Sequence, residues 1–232
     1  ALSKHLEQDK AVLIFQQLES IARTETHSTE LNSVLHTMKK LMKLYSIDAY
    51  DFVLDILNGK IKYFDGLPVY TVQDPNTMIF LFVAKYVHQF PQKSGEICSK
   101  LIEFVPNISY VLLPSILEPL EAGISHNVIS SQNLVQLSSF VLDTLDKLLL
   151  DDEMEVIACI EILREINLSP NSGVLDHAKT ISILKRLLES SQGEQEPHEL
   201  PLETTIYYFI FELTIKLNND NEIDQELILN IL

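Results

Sequence analysis

Glycine is scarce in this chain, at 6 of 232 residues, and tryptophan is absent. So little glycine excludes a β-rich fold built on many tight turns. It also removes the raw material of a phosphate-cradling loop. Long hydrophobic runs are missing too. The longest unbroken one is Met78-Ile-Phe-Leu-Phe-Val-Ala84, far short of the roughly 18–20 residues of a membrane span. Cysteine occurs twice, as Cys98 and Cys159, each with apolar neighbours such as Ile97, Leu101, Ile157 and Ile160. Small buried thiols have such surroundings, and nothing demands an oxidising compartment. The sequons Asn107-Ile-Ser109 and Asn167-Leu-Ser169 stand without a visible leader and are read as chance. The expected location is intracellular, in nucleus or cytoplasm.

Chemistry-bearing motifs are equally sparse. There is no G-x-S-x-G, no G-x-x-x-x-G-K, and none of the seven histidines forms H-x-x-x-H or H-E-x-x-H. Two cysteines are too few to complete a zinc site of the usual kind. No catalytic, cofactor-binding or metal-ligating residue is assigned, no cofactor is expected, and the chain is not read as an enzyme.

Positive charge runs short in one half only. Residues 117–232 hold 6 Lys+Arg against 21 Asp+Glu, whereas residues 1–116 hold 11 against 12. A field of that sign repels phosphate backbones and attracts a basic partner. It also keeps a protein soluble, which is the commoner use of acidic faces.

What is present is apolar content, 46% of the chain, in a helical period almost throughout. One stripe is clean: Leu31, Val34, Leu35, Met38, Leu41, Met42 and Tyr45. Ser46 is placed as the N-cap of the next helix, which stops at Asn58-Gly59, a good left-handed terminus. Residues 60–74 form an irregular insert with hairpin tendency. The helix after it is apolar nearly all round from Met78 to Val87 and should lie deep in the core. Pro106, Pro114 and Pro119 should kink or split the next segment before Gly123. Further helices are expected from Ser130 or Ser131 to Leu148, over Val156–Leu163, from Val174 to Leu188, over 203–217, and from about Glu222. Residues 190–201 are expected to be a mobile acidic loop.

The fold class expected is all-α, with about ten to eleven helices in antiparallel pairs, and residues 1–232 forming a single repeat-like domain. Consecutive pairs occupy roughly 40 residues each, as two-helix solenoid units do. In this the chain resembles the HEAT and armadillo-type α-solenoids, although no motif recurs at that period. The resemblance implies a right-handed stack of helix pairs; an irregular helical bundle of the same size is the alternative. The start at Ala1 and the apolar end Leu227-Ile-Leu-Asn-Ile-Leu232 prompt the expectation of a piece cut from a longer chain.

Asp151, Asp152 and Glu155 spell D-D-x-x-E, the magnesium grip of all-helical prenyl-chain enzymes. That use needs one continuous helix through 151–155. The apolar stripe Val141, Leu145, Leu148, Leu149 would put position 152 inward, and it holds an aspartate. A helix boundary explains this better. An aspartate is a preferred N-cap, and Glu153 and Glu155 then occupy a first turn, where the helix dipole favours acid.

The function expected is a non-catalytic protein-protein interaction scaffold or regulatory subunit of a larger complex. Its partner would be another protein subunit carrying a helix or extended segment of basic character, and not a membrane. Partner-binding residues are placed at Lys39, Lys40, Lys43, Lys60, Lys62, Tyr63, Phe64 and Tyr70. Two alternatives from other classes are a magnesium-dependent enzyme using Asp151, Asp152 and Glu155, and nucleic-acid binding through the five lysines between 39 and 62.

Overall fold

The computed structural model describes residues 7–66, 78–148, 152–170, 172–191 and 200–219. Among these residues the protein is all-α, with ten α-helices and no strand. That count and class are compatible with a helical repeat architecture. The chain divides into two compact units, Ala1–Ser130 and Ser131–Leu232.

The first unit holds α1 (Gln8–Thr24), α2 (Ser28–Tyr45), α3 (Tyr50–Leu57), α4 (Met78–Gln89), α5 (Gly95–Phe104) and α6 (Leu113–Ser125). The first two form an antiparallel hairpin. Its turn is held by Glu25, whose carboxylate accepts the backbone N–H groups of Thr26 and His27 at 2.8 and 2.9 Å. At the other end, the Gln8 amide donates to the carbonyl of Tyr45 at 2.7 Å. The buried residues of α2 are Leu31, Leu35, Met38 and Met42, the inward half of the stripe read from sequence. This face packs on α1 and on α4.

The central helix is α4, buried at Ile79, Phe80, Phe82, Val83, Ala84, Tyr86 and Val87. Each fully buried large side chain contributes roughly 1.5–3 kcal/mol, which makes this helix the main hydrophobic anchor of the unit. Phe82 meets Phe52 of α3 edge to face, with ring centroids 5.7 Å apart. The most extensive helix contact in the unit is between α4 and α6.

One local expectation differs from the structure and one is met. Ser46 does not cap α3; it ends α2 in a left-handed conformation, φ 51°. The α3 start is held by Asp48, whose carboxylate accepts the Tyr50 N–H at 3.1 Å. The proline-rich segment is split before Gly123, as expected, at two short 3-10 turns, Val105–Asn107 and Tyr110–Leu112, while Pro119 is carried inside α6, which continues to Ser125. Packing on α4 and α5 holds the helix despite the missing donor.

The second unit holds α7 (Ser131–Leu145), α8 (Glu153–Leu168), α9 (His177–Ser191) and α10 (Leu200–Asn219). Helix α8 lies against α7 and α10, and α9 against α7 and α10. Charged side chains tie these helices together. Lys179 of α9 meets Asp143 of α7 at 2.6 Å. Arg186 donates to the last carbonyl of α7, that of Leu145, and to that of Asp146 just beyond it, at 3.3 and 3.1 Å, a favoured place for a cation. Residues 192–199 and the expected helix from Glu222 lie outside the described residues.

Candidate functional site

The D-D-x-x-E motif falls at a helix boundary. Helix α7 ends at Leu145 and α8 begins at Glu153 with Asp152 as its N-cap residue. The Val156 N–H donates to the Asp152 carbonyl at 3.0 Å, and Glu153 and Glu155 lie in the first turn. The continuous helix that a carboxylate grip needs is interrupted here. Asp151 itself lies outside the described residues. Among the described residues no three histidine, cysteine or acidic side chains gather as metal ligands.

The lysines placed at a partner site are not brought together. Lys39, Lys40 and Lys43 lie on the second half of α2, the end that Gln8 joins to Tyr45. Lys60 and Lys62 lie near the opposite end of the hairpin, because the Lys62 N–H donates to the carbonyl of Arg23 in the last turn of α1 at 2.9 Å. The 17 residues of α1 separate those two ends by roughly 24 Å at the helical rise.

Around Lys60 and Lys62 the chain makes a closed loop on α3. Gly59 and Gly66 both take positive φ, 66° and 81°, and the Gly66 N–H returns to the Gly59 carbonyl at 3.2 Å. Ile61 and Phe64 turn inward, 1% and 3% exposed, so Phe64 supplies core contact. Tyr63 is half-buried with its ring 5.0 Å from that of Phe64, edge to face. Tyr70 and the rest of the insert, 67–74, lie outside the described residues. A surface cleft of about 360 Å³ opens beside the loop between Arg23, Lys60, Lys62 and Asp65. Its cations are already engaged. Arg23 bonds Asp55 at 2.7 Å and Glu19 at 2.8 Å, Lys60 bonds Asp55 at 3.2 Å, and Lys62 bonds Asp65 at 3.2 Å. Burial raises the Asp55 pKa, but hydrogen bonds from Arg23 and Lys60 outweigh it and leave the carboxyl below its usual range.

The surface that stands out is on α10. Its inward face is Leu202, Ile206, Phe209, Ile210 and Leu213, all buried. Its outward face carries Tyr207, Tyr208, Phe211 and Ile215, which are 52%, 52%, 59% and 46% exposed. Positions 207, 211 and 215 are spaced by four, so they form one row along the helix, with Tyr208 beside it. Scattered surface apolar residues are ordinary, but Tyr207, Phe211 and Ile215 lie next to one another along one face of the helix. Arg164 of α8 braces the row. Its guanidinium carbon lies 4.6 Å from the Tyr208 ring centre, and it donates to both carboxylate oxygens of Glu212, at 2.7 and 3.2 Å.

The sequence pattern places a helix over 203–217 but does not single out this row. The signal was there: apolar residues on both faces of one helix exceed what a single core contact can cover. No family model matches the chain, and neither a curated protein nor a solved structure matches it.

Proposed function

We propose that the protein is a non-catalytic binding scaffold of stacked helix pairs, HEAT- or armadillo-like in kind. Its partner is another protein that lays a helix or extended basic segment along α10. The observation that carries this reading is the exposed row Tyr207, Phe211 and Ile215 with Tyr208 at its side. Tyrosine and phenylalanine offer large contact area at little entropic cost and concentrate in interface cores.

The basic character of the partner follows from charge. Residues 131–232 contain 6 Lys+Arg against 19 Asp+Glu. An apolar row within an acidic unit attracts a segment that is apolar on one side and cationic on the other. Two free, buried thiols suit an intracellular setting, nucleus or cytoplasm. Among the described residues no helix is long and apolar enough to cross a membrane.

The test is affinity capture from the native source, comparing the wild-type protein with a Tyr207→Ser/Phe211→Ser variant. Both positions are exposed, so circular dichroism should be unchanged. The scaffold reading expects a protein that the variant loses and that high salt releases from wild type. Identical recovery by both proteins would remove α10 as the binding face.

A further inference from the structure

His88 and His126 lie 38 positions apart in the chain and meet in space. His88 sits in the last turn of α4, and His126 is the C-cap residue of α6, its N–H donating to the Ala122 carbonyl at 3.1 Å. These two helices make the most extensive contact in their unit, so each imidazole projects from a fixed platform. His88 Nδ1 is 3.3 Å from His126 Nε2, with the rings at 82° and their centroids 5.4 Å apart. Both side chains are exposed to solvent.

Zinc–imidazole bonds are about 2.0–2.1 Å long, so two such nitrogens on one tetrahedral ion stand roughly 3.3–3.4 Å apart. The observed spacing equals that edge. A direct N–H···N hydrogen bond also fits the distance. A metal ion would sit to one side of the N···N line, and the rings reach it by modest turns about χ2, a soft torsion in histidine.

We propose that His88 and His126 form a two-histidine clamp for a divalent d-block cation such as zinc, with water completing the coordination. Imidazole nitrogens select zinc, copper and nickel over magnesium and calcium, which prefer oxygen. Among the described residues no third histidine, cysteine or carboxylate joins the pair, so the ion stays exchangeable. Desolvation, then the neighbouring His126 and Lys85, lower the His88 pKa, which keeps the ring in the neutral form that binds metal. Lys85, one turn earlier on α4, is the nearby cation that works against the site. A bound ion would tie the end of α4 to the end of α6.

Isothermal titration of the whole chain with zinc chloride, and separately with magnesium chloride, tests the clamp. The expected result is one saturable zinc site that is lost in His88→Ala and in His126→Ala, kept in His36→Ala, and not filled by magnesium. Zinc should raise the melting temperature of wild type and leave both clamp variants unmoved. Because both rings are exposed, circular dichroism should show the variants folded. No saturable zinc binding, or the same binding in wild type and His88→Ala, would overturn the proposal.

Discussion

Arg164 of α8 stands over the ring of Tyr208 on α10, 4.6 Å from its centre, while the same guanidinium bonds Glu212 one turn further along. One side chain thus joins two helices and fixes an exposed aromatic beside the row at 207, 211 and 215. The pair with Glu212 is largely shielded, with 24% and 16% of the two side chains exposed. Arg164→Ala should therefore cost about 1–3 kcal/mol, and Glu212→Gln somewhat less. A double-mutant cycle in urea should return a coupling between them. Additive effects would show that the contact does not hold α8 to α10.

Gly123 stands inside α6 where a side chain has no room. An added Cβ would lie 2.6 Å from the Cys98 Sγ and 3.1 Å from Ile129 Cδ1. Alanine would gain about 1 kcal/mol of helix propensity, but overpacking costs typically 1–3 kcal/mol. Gly123→Ala should therefore lower the melting temperature, and Cys98→Ala should restore part of the loss in the double variant. A melting temperature raised by Gly123→Ala alone would mean that α5 and α6 can part without penalty.

Asp48 is a junction of three donors: the Lys93 ammonium, the Tyr86 hydroxyl at 3.0 Å and the Tyr50 N–H. Burial raises its pKa, but those hydrogen bonds outweigh it and the net direction is downward. A carboxyl with a depressed folded pKa contributes stability that is complete above its unfolded value, about 3.9. That stability is lost as pH falls through the folded value. Asp48→Asn should lower stability at pH 7 and lose less on acidification than wild type. Parallel stability curves for the two proteins between pH 6 and the acid transition would contradict this assignment.

Both thiols are buried and free, and burial pushes each pKa up to about 12. A thiolate is the reactive form, so neither cysteine should react with a disulfide reagent in the folded protein. Both should react at once in denaturant. Fast native labelling of Cys98 would show that the contact between α5 and α6 opens readily.

The all-α class was legible in the sequence because each helix repeats its apolar residues at the helical period, as α2 does at 31, 35, 38 and 42. The depth of α4 was legible for the same reason. The interruption between Leu145 and Glu153 could be read from capping chemistry, since an aspartate on the inward stripe is costly and at an N-cap is favoured. Local rules failed where packing decides. Ser46 has the chemistry of a cap for α3 and instead turns left-handed to end α2. Of the prolines expected to split their segment, Pro106 does lie in the break, whereas Pro119 is carried inside a helix flanked by α4 and α5. The lysines between 39 and 62 are close in sequence, but the α1–α2 hairpin carries them to opposite ends. His88 and His126 carry no sequence signal at all, because only the packing of α4 on α6 joins them.

The central claim is that the outward face of α10 receives a basic segment of another protein, and site-specific photo-cross-linking from position 211 tests it most directly. A photoreactive phenylalanine analogue at that position, in the full-length protein in its native cells, should give an adduct whose peptide is cationic and apolar on one side. Tyr207→Ser should reduce its yield, and the same analogue at position 40 should not form it. No adduct, an adduct confined to the chain itself, or one to nucleic acid would contradict the account.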